Sequence, residues 1–375
     1  MKIAIIGTIS TSITSFRADL IKLLIKQGHT VFALAMDYNE EQRALVRAMG
    51  AEPVDYSLNR SGLNPLKDIL ETFALARLLK KLQPDLVFSY FVKPVVFGTL
   101  AARLAKVPNR VAMLEGLGFT FTEQPQPLPL KTKIIRQVQI LLYRLTFPFL
   151  DRIIFLNPDD PIDLLEKNKL KAKKVSVLGG IGLNLTDYPF SLPTVKPVRF
   201  LFIGRLLAEK GVNEYIAAAK LVKNKYPQAE FVLLGGIDEA NPGALTQTQL
   251  NELIEQNLVI YPGHVNNVVE WIAGSSVFVL PSYREGVPRS TQEAMAVGRA
   301  VITTDVPGCR ETVIDSVNGF IVPPWSAEKL AEKMMLFIEQ PDLIETMGKE
   351  SYRIAQEKFD AHTVNERLAA MLLNN

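Results

Sequence analysis

The sequence has one cysteine, Cys309, which excludes an intramolecular disulfide and fits a reducing compartment. Histidine is nearly as scarce, with only His29, His264 and His362. No apolar run of about 18 residues is free of charge, so no transmembrane helix is expected. The opening MKIAIIGTIS lacks the basic region, long apolar core and cleavage site of a signal peptide, and reads as a strand. The loop after it, GTISTSITSFR, is not GxGxxG, so the dinucleotide fingerprint is absent. There is no internal repeat of short period.

What is present is ordinary globular composition in a long chain. At 375 residues the chain exceeds the size at which single cores stop growing, which predicts two domains. Net charge is +3, unevenly spread. Residues 1–190 carry 25 Lys and Arg against 17 Asp and Glu, or +8; the rest carries 17 against 22, or −5. A basic half suits nucleic acid, an anionic membrane face or phosphorylated substrates, and equally an accidental surface bias.

Strands are expected at 2–7, 31–36, 85–90, 110–114 and 174–178, with helices near 16–27, 40–49, 66–82 and 94–106. The start, strand then loop then helix then strand, marks a doubly wound α/β domain. After the proline-rich stretch TEQPQPLPL comes KTKIIRQVQILLYRLTFPFLDRIIF, where Lys131, Lys133, Arg136 and Arg144 alternate with Ile, Leu, Tyr and Phe. It reads as a basic amphipathic helix at 131–147, suited either to a membrane interface or to a core. Residues 183–197 hold three prolines and no periodicity, which places a linker there. A second α/β unit follows, with strands at 198–203, 230–234, 258–261, 277–280, 301–304 and 319–322. Helices are expected at 212–225, 246–256, 267–274, 326–339 and 341–357, and from 308 onward. The domains are thus 1–182 and 198–359, with the helical tail 360–375 packing back on the first.

The chemistry concentrates in residues 281–298, PSYREGVPRSTQEAMAVG. An apolar strand leads into a loop holding Glu285, Gly286, Val287 and Pro288. Ser290 or Thr291 is then expected to cap a helix carrying Glu293. Seven residues separate the two glutamates, which sets both at the carboxyl end of a strand, where open α/β sheets bind ligands. The helix N-terminus suits phosphate. In the same domain GRLLAEKG puts Arg205 and Lys210 in another strand-to-helix loop, as a fork and a point charge for a diphosphate. Any one of these charges alone reads as solvated surface; their combination reads as a site.

With Gly204-Arg205, Lys210 and Glu285-x7-Glu293 the sequence resembles the retaining GT-B glycosyltransferases of family four, two Rossmann-like doubly wound domains around a cleft. The resemblance covers the whole chain. It implies that Glu293 holds the nucleotide ribose and that Arg205 and Lys210 contact the diphosphate. Glu285 and the backbone of Gly286, Val287 and Pro288 would touch the donor sugar, and the backbone near Thr291 the phosphate. Gly204 and Gly235 would line the donor site, and His264 the base pocket. Within the first half SITSFR, SLNRSGLNP, SYFVKPVVFGTLAAR and MLEGLGFTF are similar to bacterial polyprenyl-diphosphate-bacillosamine N-acetylgalactosaminyltransferases and related O-antigen and capsule enzymes. That similarity implies a UDP-sugar donor and a polyprenyl-diphosphate-linked saccharide acceptor, with Gly7, Ser10, Ser15, Arg17, Lys93 and Glu115 on the acceptor side. It implies a peripheral enzyme on the anionic inner face of a bacterial membrane, with no cofactor, no metal and no nucleic acid.

One departure stands out. Many members carry a histidine after the strand equivalent to 85–90, where this chain has Val92 beside Lys93; a histidine of some relatives in the first loop is Ser15 here. Lys93 at its ordinary pKa is a charge or a hydrogen-bond donor, not a base. A GT-B sugar-nucleotide 2-epimerase and a non-catalytic nucleotide-sugar-binding protein therefore stay open as alternatives.

Overall fold

The structure is a computed structural model that describes residues 1–58, 65–238, 241 and 243–374. Part of the SLNRSGLNP motif, residues 59–64, lies outside the described residues. The chain divides into two compact units. The first comprises Met1–Thr120, Pro129–Ile181 and Ala361–Asn375; the second comprises Phe121–Leu128 and Gly182–Asp360.

In the first unit seven strands run parallel in the order β3-β2-β1-β4-β5-β6-β7. They are β1 (Lys2–Ile6), β2 (Thr30–Ala35), β3 (Glu52–Asp55), β4 (Leu86–Tyr90), β5 (Asn109–Leu114), β6 (Arg152–Phe155) and β7 (Val175–Val177). β1 and β4 are buried almost throughout, as apolar runs covered on both faces must be. The helices are α1 (Ser10–Phe16), α2 (Ala18–Lys26), α3 (Glu40–Ala48), α4 (Pro65–Leu82), α5 (Thr99–Leu104), α6 (Leu130–Thr146) and the single turn α7 (Asp159–Pro161). β2 and β3 lie on one side of β1 and β4 to β7 on the other, so the order reverses between β1 and β4.

Two expectations change here. The single helix at 16–27 is two helices broken at Arg17, and the Ser/Thr-rich segment before it, read as loop, forms α1. The helix at 94–106 opens as a π-turn, Pro94–Gly98, before α5. The basic amphipathic helix expected at 131–147 is α6, after which a 3-10 turn covers Phe147–Phe149 and Arg152–Phe155 form β6.

In the second unit six parallel strands take the order β10-β9-β8-β11-β12-β13. They are β8 (Arg199–Ile203), β9 (Glu230–Leu234), β10 (Ile260–Gly263), β11 (Val277–Leu280), β12 (Ala300–Thr304) and β13 (Gly319–Val322). The helices are α8 (Val212–Lys225), α9 (Gln247–Glu255), α10 (Val268–Ala273), α11 (Arg289–Ala296), α12 (Ala327–Glu339) and α13 (Asp342–Lys358). The order reverses between β8 and β11. No helix forms at 308–311: Gly308 is left-handed (φ +79°), and a Cβ there would run into the carbonyls of Glu285 and Gly286. The last helix, α14 (Ala361–Leu373), leaves the second unit and packs on α2 in the first. There Arg152 Nη2 donates to the carbonyl of Asn374 at 2.7 Å.

Candidate active site

The loops after β8 and β11 flank the point where the second sheet reverses, the place where doubly wound sheets bind ligands. Backbone contacts lock these loops together. Gly211 is left-handed (φ +77°), and a Cβ on it would strike the carbonyl of Pro281. Tyr283 N donates to Glu209 O at 2.9 Å. Gly235, after β9, has φ +140° and lies so close to Gly204 that a Cβ would overlap its carbonyl. Three of the expected site segments are therefore in direct contact, through positions where only glycine fits.

Side chains converge on the same place. Lys210 Nζ donates to Glu285 Oε1 at 2.5 Å, and Ser282 Oγ donates to the same oxygen at 2.7 Å. Glu285 N donates to Pro307 O at 3.0 Å, so the loop is also tied to the segment after β12. Gly286, Val287 and Pro288 are buried. Helix α11 then begins one residue after Pro288, the N-cap, whose backbone is extended (φ −65°, ψ 124°). Neither Ser290 nor Thr291 caps it, a correction to the expected cap: both lie within the helix, and no side chain caps that end. The first turn carries no acid and leaves its N–H groups suited to an anion. The Thr291 hydroxyl is fully buried with no hydrogen-bond partner among the described residues.

Glu293 is one turn on. Its Oε1 accepts from Tyr188 Oη at 2.9 Å and from Arg289 Nε at 2.9 Å. Burial, then the Glu293 charge, pushes the Tyr188 phenol up to about 12, so it remains a donor at neutral pH. Cys309 is buried nearby; burial, then Glu285, raises its thiol to about 12, which makes it inert.

The expected members do not all join. Arg205 is 58% exposed and reaches Asp238 Oδ2 at 3.4 Å. It stands at the rim, apart from the Lys210–Glu285 pair. His264 follows β10 and is exposed, and no described contact links it to the glutamates. Sequence reasoning also missed three partners, among them Arg289 on the motif's own helix. Ser282 lies three residues before Glu285 inside the motif, a spacing that was there to be read. Tyr188 lies 105 residues from Glu293, and nothing local marks it.

In the first unit the candidates gather after β1 and β4, again beside the reversal. Gly7 is pressed against Tyr90, whose hydroxyl a Cβ would meet, and its carbonyl accepts from Tyr56 Oη at 2.5 Å. Ser10 is buried and committed internally: its N donates to Asp37 Oδ1 at 2.6 Å and its Oγ to Gln42 Oε1 at 2.5 Å. Ser15 is exposed on α1. Arg17 is 1% exposed, ion-paired with Glu115 and stacked over Tyr90 at 4.5 Å. The two charges expected to face an acceptor thus neutralise each other in the core. Lys93 follows Phe91, which is left-handed (φ +68°), and its Nζ donates to the buried Asp68 carboxylate at 3.2 Å.

Residues 2–157 match the family described as glycosyl transferase 4-like, and residues 186–354 match glycosyl transferases group 1. Over 98% of its length the chain is 32% identical to 97% of a Campylobacter jejuni protein, the N,N′-diacetylbacillosaminyl-diphospho-undecaprenol alpha-1,3-N-acetylgalactosaminyltransferase. Over 99% it is 26% identical to 96% of the Staphylococcus aureus capsular polysaccharide biosynthesis glycosyltransferase CapM. Among solved structures, HepE of Anabaena in complex with UDP and glucose superposes over all of both chains, with a TM-score of 0.78 at 20% identity. Sucrose-phosphate synthase of Thermosynechococcus elongatus gives 0.77 at 18% identity, over 99% of this chain and 98% of that one. The two parallel doubly wound sheets are those of the GT-B fold, and the chain belongs to the glycosyltransferases of group 1.

Proposed function

We propose that the enzyme transfers an N-acetylhexosamine, with retention of configuration, from a UDP-sugar to a polyprenyl-diphosphate-linked saccharide in bacterial glycan assembly. The observation that carries this reading is the cluster Lys210, Ser282 and Glu285 in the loop before α11, with Glu293 one turn into that helix, together with full-length similarity to the C. jejuni transferase. Glu293 takes the ribose hydroxyls and Glu285 the sugar. As the bond from C1 to the β-phosphate oxygen breaks, negative charge grows on the departing UDP. Lys210, Arg205 and the first N–H groups of α11 offset it, in the role a divalent ion fills elsewhere. The acceptor hydroxyl attacks C1 from the leaving group's face, and its proton passes to the departing phosphate oxygen. No protein base is required, which accommodates Val92, beside Lys93, where many members carry histidine.

The membrane-bound acceptor agrees with the surface of the first unit. Leu130, Ile134, Val138, Leu141 and Leu145 are exposed along α6, and Leu66, Ile69, Leu70 and Phe73 along α4. Both helices pack against the turn Pro94–Gly98. The exposed charges on them are Lys67, Arg77, Lys80, Lys81, Lys131, Lys133 and Arg144, while their two acids, Asp68 and Glu71, are buried. Apolar rows set among cations are the pattern of a helix lying in an anionic interface. No helix of the described residues is long and apolar enough to cross a membrane. This pattern supports peripheral attachment to an anionic inner leaflet.

The test is incubation with UDP-N-acetylhexosamines and a synthetic polyprenyl-diphosphate saccharide, in the presence and absence of EDTA. Transfer with an α-linked product, indifferent to EDTA, is expected. Release of an epimerised UDP-sugar would establish the 2-epimerase instead, and binding without turnover a non-catalytic role.

A further inference from the structure

Glu293 is held by two donors that come from different places. Arg289 lies one helical turn earlier on α11 itself, whereas Tyr188 comes from the segment that enters the second unit. Both reach Oε1; neither of these bonds uses Oε2. The backbone on each side of Tyr188 is fixed. Leu183 N donates to Phe359 O at 2.9 Å, and Ser191 N to Val297 O at 3.1 Å. Phe190 packs at 5.0 Å against Tyr352 and fills the space above Gly298, where φ is +89° and a Cβ would collide with the ring. The Ser191 hydroxyl accepts from the buried Arg299. Tyr188 thus enters from a rigid platform, half-buried, with its hydroxyl on the carboxylate.

This placement has a physical consequence. A glutamate side chain has three rotatable bonds, and ordering it on ligand binding has an entropic cost. Arg289 alone would draw the carboxylate along the helix surface, as i,i+4 pairs do. A second donor from off the helix fixes the carboxylate in two directions before any ligand arrives, and such preorganisation strengthens binding.

We propose that Tyr188 is a positioning residue for the nucleotide ribose: with Arg289 it clamps Oε1 of Glu293 and thereby presents Oε2 to the ribose hydroxyls. The proposal rests on the reading of Glu293 as the ribose-binding carboxylate. It makes a tyrosine on the entering segment part of nucleotide selectivity, although it touches no ligand atom.

The experiment compares UDP with 2′,3′-dideoxy-UDP by calorimetry on the wild type, Y188F and E293Q, with thermal unfolding to verify the fold. Y188F keeps the ring and removes only the hydroxyl. It is expected to weaken UDP about tenfold, the scale of one hydrogen bond to a charged group, and to leave dideoxy-UDP unchanged. KM for the UDP-sugar should rise in parallel while kcat stays within about twofold. E293Q should collapse the preference for UDP over dideoxy-UDP. If E293Q collapses it and Y188F binds UDP as the wild type does, Tyr188 has no positioning role. If Y188F weakens both ligands equally, Tyr188 acts through the fold, and the proposal is overturned. If E293Q keeps the wild-type preference, the ribose reading of Glu293 fails and takes the proposal with it.

Discussion

Glu285 accepts from a cation and a hydroxyl at one oxygen, and that arrangement separates its two possible uses. Gln at this position keeps an oxygen that Lys210 Nζ and Ser282 Oγ can reach, so the loop geometry survives. What disappears is the negative charge beside the sugar. A charge that matters as the glycosidic bond breaks affects kcat; one that merely balances Lys210 affects binding of the diphosphate instead. E285Q is expected to lower kcat by about 10²- to 10³-fold, on the scale of losing one preorganised electrostatic group, with Kd for UDP within about threefold. Equal losses in steady-state turnover and in calorimetric affinity, in a folded protein, would reassign Glu285 to holding the phosphate-binding lysine.

At the scale of elements, α4 and α6 present nine exposed large apolar side chains with only cations exposed among their charges. Replacing Leu141, Leu145 and Phe73 together with Ser should reduce flotation with anionic liposomes at least tenfold and leave the unfolding temperature almost unchanged, since these side chains bury little. Charge-neutral liposomes should bind the wild type weakly. Equal flotation of the variant would remove the membrane role from this surface. The amphipathic pattern of α6 was legible in the sequence because period and charge coincide there. The strand after it was not: a run as short as Arg152–Phe155 serves as a helical turn or as a buried strand, and as β6 it pairs with β5 and β7. The break at Arg17 was equally hidden, since Arg17 finds its partner in Glu115, nearly a hundred positions away in sequence. By contrast β9 and α8 fall at 230–234 and 212–225 as expected, because glycines bound them and their patterns have no rival. The site divides in the same way. Glu285, Glu293 and Lys210 could be read from one motif each, but Tyr188 acquires its place only through the path of the entering segment.

At the scale of the whole molecule, the two sheets repeat one design. Each reverses its strand order once, between β1 and β4 or between β8 and β11, and each gathers polar residues in the loops beside that reversal. The contents differ. The second unit places Lys210 and a helix N-terminus where an anion fits, and its glutamates retain partial exposure. Beside its reversal the first unit pairs the buried Arg17 with Glu115 and Lys93 with Asp68; the second pairs Lys210 with Glu285 but adds the exposed Arg205 and the uncapped N-terminus of α11. A nucleoside diphosphate alone therefore has one unit to bind. Saturation with UDP stabilises what it touches: at about 100 times Kd the linkage amounts to about 2.7 kcal/mol. Hydrogen exchange with UDP should show new protection in residues 204–211 and 282–293, together with the segment around Tyr188. The loops after β1 and β4 should exchange at their free-enzyme rates. A polyprenyl-diphosphate saccharide is expected to reverse the pattern, protecting residues 7–17 and 91–97. Protection of the β1 and β4 loops by UDP alone would show that the matched charges of the first unit open to the nucleotide, and the assignment of donor and acceptor to separate units would fall.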